Sequence, residues 1–289
     1  MIGTFLDIAL GGILMGGIYA LIAVGLNLQY GVARVLNVSH GEFIMLGAFA
    51  TFSLYVFFGI NPLVSLAICG PIVFIIGFLI HRTLFQRLRS SLASMEEFEG
   101  NSLLVSFGLL FIIQNVALLV WGGEIRGYTY FAYPVNLLGA IFAANRLVTL
   151  LFAVVISITF YLFLVRTRMG KAIRAVAQNA TASQLIGVNI PRVLGLCFAL
   201  GAMMAGLAGS LISMIYSITP FMGLPYTMIA IIVIALGGLG NILGSFIGGL
   251  ILGIIGSIVT YISPGLSFVA FYLIFIVMLL IKPTGILGK

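Results

Sequence analysis

Apolar residues run in long, nearly unbroken stretches along the whole chain, and polar residues are confined to short segments between them. A helix needs about 20 mostly apolar residues to cross the roughly 30 Å hydrocarbon layer of a bilayer. β-Barrel strands instead alternate apolar and polar residues over about 10 positions, whereas the run at 151–165 is continuously apolar. The pattern therefore predicts about eight membrane-spanning helices, near residues 8–30, 41–58, 62–80, 102–121, 146–165, 194–216, 226–259 and 264–281.

The seventh stretch, 226–259, is too long for one simple crossing and is rich in glycine. Irregular backbone at membrane depth is tolerated where it is buried in protein or lines a wet cavity. The stretch therefore predicts either one helix with a broken N-terminal half or a re-entrant piece followed by a span. Gly238, Gly240 and Asn241 mark the interruption, and we expect them to belong to a path or gate.

The composition supports an integral membrane protein. Of the 289 residues, 62% are hydrophobic and only 7% are charged, whereas soluble domains carry roughly 25% charged residues. Small residues at GxxxG spacing, such as Gly249 and Gly253, let helix backbones approach closely in lipid. The predicted fold is an all-α polytopic helical bundle, a single transmembrane domain over 1–289, with one or two broken or re-entrant glycine-rich segments.

The chain lacks the sequence patterns that carry catalysis or metal binding. It has no GxxxxGK[ST] loop for ATP phosphates, no HExxH and no GxSxG. Its only histidines are His40 and His81, and Cys69 and Cys197 lie apart in apolar stretches. We therefore expect no catalytic residue, no metal site, no cofactor and no nucleic-acid partner.

Basic residues predict the orientation of the chain. Cytoplasmic loops carry an excess of Lys and Arg, and the segment 166–192 holds five basic residues, while no acidic residue follows Glu124. This segment is predicted to be cytoplasmic, with Arg82, Arg87 and Arg89 on the same side. The side of the C-terminus stays open: eight simple crossings would place Lys282 and Lys289 outside, and a seventh segment that crosses twice would place them inside.

A short helix is predicted inside the basic segment. The four residues from Thr181 to Gln184 fit a capping box, and Gly187 fits the position that follows a helix end. The helix would cover about 182–186, after a basic stem that includes Arg174. It suits docking against another protein, or alternatively an interface where basic residues meet anionic lipid. The candidate contact residues are Arg174, Thr181, Ala182, Ser183, Gln184, Leu185 and Gly187.

The stretch SHGEF at 39–43 places a histidine and a glutamate in a region nearly free of charge. Ser39 and Glu42 fit a capping box at the start of a helix, where Glu42 also complements the helix dipole. Alternatively the break at 36–41 lies within the bilayer and faces a substrate, as in transporters with discontinuous helices. Candidate residues for that substrate path are Asn37, Ser39, His40, Gly41 and Glu42.

Gln114 lies in the middle of the fourth predicted span, within FIIQNVALL. A polar side chain there either makes a hydrogen bond to another helix, typically worth about 0.6 kcal/mol, or lines the path. Both interpretations stay open.

Two long segments resemble a known family. RAVAQNATASQLIGVNIPRVLGLCFALGAMMAGLAGSL (174–211) is similar to the cytoplasmic loop and following span of bacterial ABC permeases for branched-chain amino acids. GGIYALIAVGLNLQYGVARVLNVSHGEFIMLGAF (16–49) carries an N-x-x-HGEF-x-MLGA stretch similar to one in that family. SFGLLFIIQNVALLVWGG (106–123) and ALGGLGNILGSFIGGLILG (235–253) match as well, so the resemblance covers nearly the whole chain.

The resemblance implies a permease subunit of the bacterial inner membrane that is not itself an ATPase. It implies ATP-binding subunits that hold the ATP and dock on a coupling helix centred on Thr181 to Gly187. It also implies a second permease, homologous or identical, and a periplasmic or extracellular substrate-binding protein. Family members often carry an acidic residue near the positions of Asn179 and Thr181, and this chain has none there.

An ion-coupled secondary transporter for small amino acids, amides or urea is the alternative function. Such a transporter would require several carboxylates inside the membrane, and Glu42 is nearly alone there. A membrane scaffold that binds partners through the basic segment is a third hypothesis, and the dense glycine of the seventh stretch argues against a passive anchor.

Overall fold

The computed structural model of the chain describes residues 2–137 and 140–288. Its regular structure is almost entirely helical. The helices are α1 (Ile2–Gly31), α2 (His40–Phe58), α3 (Pro62–Ile80), α4 (Gln86–Ser91), α5 (Met95–Trp121), α6 (Ala144–Arg166), α7 (Arg168–Gln178), α8 (Ala180–Leu185), α9 (Ile190–Ser213), α10 (Gly223–Gly237), α11 (Ile242–Ile262) and α12 (Ser267–Ile281).

Three short elements complete the chain trace. A π-helical turn, His81–Phe85, joins α3 to α4, and a 3-10 turn, Pro264–Leu266, precedes α12. An antiparallel hairpin of β1 (Pro134–Leu137) and β2 (Ala140–Ala143) precedes α6.

Eight segments in the described part of the chain are long and apolar enough to cross a membrane. Seven of them match predicted spans, although the third continues to Ser91 and the fourth already begins at Met95, and the eighth is α11. The predicted polytopic helical bundle is therefore confirmed, and the described residues contain only one small sheet, the hairpin, and one isolated antiparallel bridge between Arg126 and Ile218.

The predicted seventh stretch is two antiparallel helices, α10 and α11. The backbones of Gly237 and Gly244 touch, and a Cβ on Gly248 would lie 2.7 Å from the Val233 carbonyl oxygen. Gly238 and Gly240 take φ angles of +106° and +79° in the turn between the helices, which only glycine adopts without strain. At 1.5 Å per residue, α10 is about 22 Å long, shorter than the hydrocarbon layer. The structure therefore has a half-helix followed by a full span.

The turn between α10 and α11 lies at the same end of the bundle as the end of α1. Gly240 N donates to Asn27 Oδ1 at 2.7 Å, and Asn27 Nδ2 donates to Ser245 Oγ at 2.7 Å. The segment 282–288 packs on this turn, where Ile286 N donates to the Leu236 carbonyl oxygen at 2.7 Å. Between 214 and 262 the chain therefore runs to this end of the bundle and back, and Lys282 lies at the same end as this turn. Lys289 lies outside the described residues.

Most basic residues lie at that end of the bundle, which we call the basic end. It carries Gly31, the π turn, α4, α7, α8 and the segment 282–288. Arg126 and Arg146 lie at the opposite end. The basic residues at the basic end, among those described, are Arg34, Arg82, Arg87, Arg89, Arg166, Arg168, Lys171, Arg174, Arg192 and Lys282.

Glycines allow the central helices to touch through their backbones. A Cβ on Gly253 of α11 would collide with the backbone of Gly16 on α1, and one on Gly47 of α2 would collide with the Gly206 carbonyl of α9. Such close approach is how helices associate in lipid, where no hydrophobic effect drives them together. The outer helices are packed less deeply: Phe271 is the only buried residue of α12.

Candidate functional site

The chain turns back into the bundle between α1 and α2. His40, the first residue of α2, has its Nε2 3.0 Å from the Ile22 carbonyl oxygen. Ile22 lies nine residues before Gly31, the last residue of α1, which is about 14 Å along the helix. Helix α2 therefore starts well inside the bundle, as the second interpretation of SHGEF expects.

Gln29 is the centre of a buried polar cluster at this point. Its Oε1 accepts from Asn37 Nδ2 at 2.9 Å and faces His40 Nδ1 at 3.1 Å, and its Nε2 donates to the Phe198 carbonyl oxygen at 3.1 Å. Ser39 Oγ donates to Asn37 Oδ1 at 2.6 Å. Because the Ile22 carbonyl can only accept, His40 donates there from Nε2. The cluster fixes the break between α1 and α2 against α9.

The predicted capping box of Ser39 and Glu42 is wrong. Ser39 stands at the N-cap, but its side chain makes no capping hydrogen bond and is bound to Asn37 instead. Glu42 N donates to the Ser39 backbone oxygen at 3.0 Å, and the Glu42 side chain does not reach back. The neighbouring polar group of Asn37 competes successfully for the Ser39 hydroxyl, which the four-residue pattern cannot reveal.

Helix α10 begins where α2 begins. Gly41 N donates to Thr227 Oγ1 at 2.8 Å, and Thr227 Oγ1 donates to the Val38 carbonyl oxygen at 3.1 Å. A Cβ on Gly41 would collide with the Gly223 carbonyl, so glycine is required for this contact. Gly223 and Thr227 were not candidates from the sequence, because nothing local marks residues that lie more than 180 positions from their partners.

Glu42 is fully buried at this junction. Neither carboxylate oxygen has a hydrogen-bond partner among the described residues. The one ion pair in the described part of the chain joins Arg34 to Glu99 at 3.6 Å, so no basic side chain neutralises Glu42. The N-termini of α2 and α10 do meet beside it, and helix N-termini carry partial positive charge. Discontinuous helices in transporters present such N-termini to anionic groups of a substrate.

A cavity of about 90 Å³ adjoins the junction on its side toward the basic end. It is lined by Asn37 and Val38 from the break, by Tyr30 from α1 and by Ile231 and Ile234 from α10. Tyr30 and Asn37 are the two polar residues among the nine that line it, so the cavity is a mostly apolar space beside the polar cluster.

The structure brings 37–42 together but leaves the other path candidates elsewhere. Gly238, Gly240 and Asn241 form the turn at the basic end, one full length of α10 away from Glu42. Asn241 caps α11 by accepting from Gly244 N at 3.0 Å. Gln114 is half-buried on α5 and makes no hydrogen bond to the described residues, so neither of its interpretations is settled.

The short helix in the basic segment exists as α8, with a different start from the one predicted. Asn179 is its N-cap, and Asn179 Oδ1 accepts from Ala182 N at 2.9 Å. The capping box of Thr181 and Gln184 is therefore wrong, because the asparagine two residues earlier binds the free amide first. Ser183, predicted as a contact residue, is buried, and its hydroxyl donates to the Asn179 carbonyl oxygen at 2.8 Å.

The end of α8 is fixed by a Schellman motif. Gly187 has a φ of +88°, its N donates to the Gln184 oxygen at 3.0 Å, and Val188 N donates to the Ser183 oxygen at 3.0 Å. The predicted position of Gly187 directly after the helix end is confirmed; its role as a contact residue stays a prediction. Leu185 and Ile186 are 85% and 78% exposed beside it. Ile186 was missed by the sequence interpretation, although two adjacent apolar residues at a helix end were visible.

Helix α7 presents its charges outward. Gly170, Ile173 and Val176 are buried, whereas Arg168, Lys171 and Arg174 are exposed. Arg174 reaches back to the Val165 carbonyl oxygen at 3.4 Å. Helices α7 and α8 together form a rigid, basic surface with an apolar tip.

A second cavity, of about 370 Å³, lies at the opposite end between α1, α6, α11 and α12. One acidic and one basic residue line it, Asp7 and Arg146, and no ion pair joins them within the described structure. Leu14, Phe142 and Phe271 supply apolar walls. The sequence interpretation missed this cavity because its residues come from four distant segments.

The connection after α5 closes the opposite end over α2 and α9. Arg126 N donates to the Ile218 oxygen at 3.0 Å, and the Tyr128 hydroxyl lies 2.9 Å from Ser213 Oγ. Tyr130 donates to Asn61 Oδ1 at 2.8 Å. Burial raises the pKa of both tyrosines, so they remain neutral hydrogen-bonding groups.

Comparison with known proteins gives one consistent result. The family model described as branched-chain amino acid transport system / permease component matches residues 8–281. The chain is 32% identical to the high-affinity branched-chain amino acid transport system permease protein LivH of Escherichia coli K12, over 99% of this chain and 96% of LivH. It is 30% identical to BraD of Pseudomonas aeruginosa with the same coverage, and 28% identical to a probable LivH of Methanocaldococcus jannaschii, over 96% of this chain and 91% of that protein. No solved structure matches the chain.

Proposed function

Because this chain belongs to the family of permease components of branched-chain amino acid transport systems, we propose that it forms the membrane path of an ATP-driven importer for these amino acids. The observation that carries the proposal is the family match along residues 8–281, which includes every membrane-spanning segment. ATP is hydrolysed by separate ATP-binding subunits, and this chain is not an enzyme. A second permease subunit and a substrate-binding protein complete the assembly.

The basic end faces the cytoplasm of a bacterial inner membrane in this proposal. Lys and Arg accumulate on the cytoplasmic side of membrane proteins, and of the basic residues described only Arg126 and Arg146 lie at the other end. The segment 166–192, with α7 and α8, is then cytoplasmic. The substrate-binding protein docks at the opposite end.

The ATP-binding subunit docks on α8. The helix is held at both ends, by Asn179 and by the Schellman motif at Gly187, so it transmits force without unravelling. Leu185 and Ile186 offer an apolar tip in an otherwise polar surface, which is the composition of an anchor that fits a partner's pocket. Thr181, Ala182 and Gln184 are exposed on the same short helix, and Arg174 lies next to it on α7.

Movement of α8 is transmitted through α9 to the point where α2 and α10 begin beside Glu42, which we call the Glu42 junction. Residues 186–189 connect the two helices, and Asn189 caps α9 by accepting from Arg192 N at 3.1 Å. Helix α9 touches α2 directly at Gly206 and Gly47, one to two turns from Glu42. Closure of the ATP-binding subunits therefore shifts the start of α2 against α10, which alternates the access of the path to the two sides.

The substrate is a zwitterion with an apolar side chain. In the cavity at the opposite end, Asp7 suits the ammonium group, Arg146 suits the carboxylate, and the apolar walls suit a branched side chain. Deeper in the bundle, the N-termini of α2 and α10 suit the carboxylate and Glu42 suits the ammonium. Asn37, Ser39, His40 and Gly41 shape this second site.

Uptake into right-side-out vesicles, with ATP inside and the substrate-binding protein outside, tests the proposal, because an importer then moves substrate into the lumen. Labelled leucine should accumulate only when ATP and the ATP-binding subunits are present, and dissipating the ion gradients should leave uptake unchanged. Uptake driven by an ion gradient without ATP would overturn the proposal in favour of a secondary transporter.

Affinity purification from the native host gives an independent test of the assembly. The tag is placed at the N-terminus, because the segment 282–288 packs on the turn between α10 and α11. ATP-binding subunits and a second permease should co-purify in mild detergent. A chain that purifies alone, without ATPase activity at any detergent strength, would contradict the proposed assembly.

A further inference from the structure

A basic cavity of about 360 Å³ lies between the π turn and the start of α9, outside the substrate path, and none of its lining residues belongs to α8. His81, Arg82 and Gln86 line it from one side, and Asn189 and Arg192 line it from the other. The cavity is at the basic end, and its lining includes no acidic residue.

The positive charges of this cavity are not neutralised inside the described structure. Neither Arg82 nor Arg192 forms an ion pair there, because the one described pair is Arg34 with Glu99. The N-terminus of α9, a helix of 24 residues, adds the positive end of its dipole. Two guanidinium groups and a helix N-terminus from separate segments therefore converge on one space.

His81 points to a ligand independently of the arginines. Only 5% of this side chain is exposed, it lines the cavity, and it makes no hydrogen bond to the described residues. Its ring is held by Phe85 and Phe198, with ring centroids 6.5 and 5.7 Å away. A buried imidazole normally finds a hydrogen-bond partner, and here its Nδ1 lies beside Gly195, which also lines the cavity.

The backbone is irregular at this cavity. His81–Phe85 is a π turn, in which Gln86 N donates to the His81 oxygen. Such single-turn π segments occur frequently at functional sites. Gly195 lets α9 approach closely, because a Cβ there would lie 3.3 Å from His81 Nδ1.

An exposed apolar stripe runs from the cavity along the outer face of α3, away from the basic end. Ile72, Ile75 and Leu79 are 45%, 56% and 54% exposed and lie on one helix face. Leu79 also lines a neighbouring groove that contains Arg82 and Arg87. A basic cavity at the membrane surface that continues into an exposed apolar stripe fits a molecule with an anionic head and long apolar tails.

We propose that this cavity binds the phosphate of an anionic phospholipid, with Arg82 and Arg192 on the phosphate oxygens and the acyl chains along Ile72, Ile75 and Leu79. Arginine forks bind phosphate through paired hydrogen bonds, and basic pockets between helices on the cytoplasmic side suit such head groups. His81 and Gln86 contribute further polar contacts to the head group. Free inorganic phosphate shares the head-group chemistry but gains nothing from the apolar stripe.

Native mass spectrometry of the assembled transporter tests this site with phosphatidylglycerol as the probe and phosphatidylcholine as the neutral lipid. The unaltered complex should retain phosphatidylglycerol in preference to phosphatidylcholine. The double variant Arg82→Gln, Arg192→Gln should bind phosphatidylglycerol about tenfold more weakly. The matched control, Arg168→Gln with Lys171→Gln on α7, removes the same charge at the same end and should bind as the unaltered complex does.

Equal weakening in both double variants would overturn the site, because it would indicate general surface charge. Competition by millimolar inorganic phosphate without any preference for phosphatidylglycerol would overturn the lipid as the source of the phosphate. If the double variant does not assemble, a photoactivatable phosphatidylglycerol is cross-linked to the unaltered complex. Cross-links should map to 72–86 and 189–195, and their absence there would reject the proposal.

Discussion

The carboxylate of Glu42 lies directly against the backbone of Gly223, so that the starts of α2 and α10 share one buried acidic group. A Cβ added to Gly223 would collide with Glu42 Oε1 and lie 2.6 Å from Glu42 Cδ. The two residues are distant in sequence and belong to two helices that both begin inside the bundle. Their contact leaves no room for a side chain at 223 beside the buried carboxylate of Glu42.

Replacement of Gly223 by alanine should therefore destabilise the protein through Glu42. We expect the free energy of unfolding to fall by about 1–3 kcal/mol, the range for overpacked cores. The double variant Gly223→Ala, Glu42→Ala should recover most of this loss, because the shortened side chain removes the collision. Thermal unfolding in detergent is measured for the unaltered protein, the two single variants and the double variant. If the losses of the two single variants simply add in the double variant, the contact is contradicted.

Removal of the Glu42 charge separates structure from transport. Glu42→Gln keeps the shape of the side chain and should leave the yield and the unfolding temperature unchanged or raised, because a buried charge without a partner is costly. Leucine uptake should fall severalfold if the carboxylate contacts the substrate ammonium. Unchanged uptake at unchanged yield would remove Glu42 from the substrate path.

Gly187 offers a test of α8 that does not disturb packing. Its φ of +88° is the relevant constraint, since no atom lies within 4 Å of the position of a Cβ. Gly187→Val should cost about 1–2 kcal/mol locally and release the helix end, since left-handed backbone is unfavourable for side chains with a Cβ. ATP-dependent uptake should fall while the amount of protein in the membrane is unchanged.

Gly187→Asn is the matched control for that variant, because asparagine tolerates the left-handed conformation. It should transport nearly as well as the unaltered protein. Equal losses for valine and asparagine would mean that the backbone conformation at 187 is not what matters.

Gly253 and Gly108 are a matched pair for the close helix contacts. Gly253→Ala places a methyl group in the backbone of Gly16 and should lower the free energy of unfolding by about 1–3 kcal/mol. Gly108→Ala on α5 meets nothing within 4 Å and should be neutral or stabilising by up to about 1 kcal/mol. Expression level and unfolding temperature would reveal the difference, and similar values for both variants would argue against backbone contact between α1 and α11.

The orientation of the chain can be tested with single cysteines. Cys69 and Cys197 are fully buried and should not react. A membrane-impermeant maleimide should label Glu124→Cys in intact cells, and should label Leu185→Cys and Lys282→Cys only after the cells are opened. Labelling of Lys282→Cys from outside would contradict the proposal that the segment 282–288 lies on the cytoplasmic side.

The hydrophobic pattern was sufficient for the spans but not for the path of the chain between them. Long apolar runs fix where helices can cross, because a bilayer rejects charge and free backbone groups. The turn between α10 and α11 depends on the positive φ angles of Gly238 and Gly240, which the sequence permits without requiring. The excess length of 226–259, its glycine content and the position of Lys282 were the sequence features that favoured it.

The capping boxes failed for a related reason. Each pattern describes a hydrogen bond that a local segment can make, and in each case another group was closer. Ser39 is bound by Asn37, and α8 is capped by Asn179. The Glu42 junction was recognised only in part, since Gly223 and Thr227 reach it through the fold and leave no local signal.

Backbone contact between glycines has a mechanical consequence. Side chains between helices act as a compliant layer that can change rotamer and let the helices slide, and at Gly16 with Gly253 and at Gly47 with Gly206 that layer is missing. We expect α1, α2, α9 and α11 to move as one rigid body during a transport cycle. Bending then concentrates in the helices that carry no such contact, such as α5, where a Cβ on Gly100 or on Gly108 would meet no atom within 4 Å.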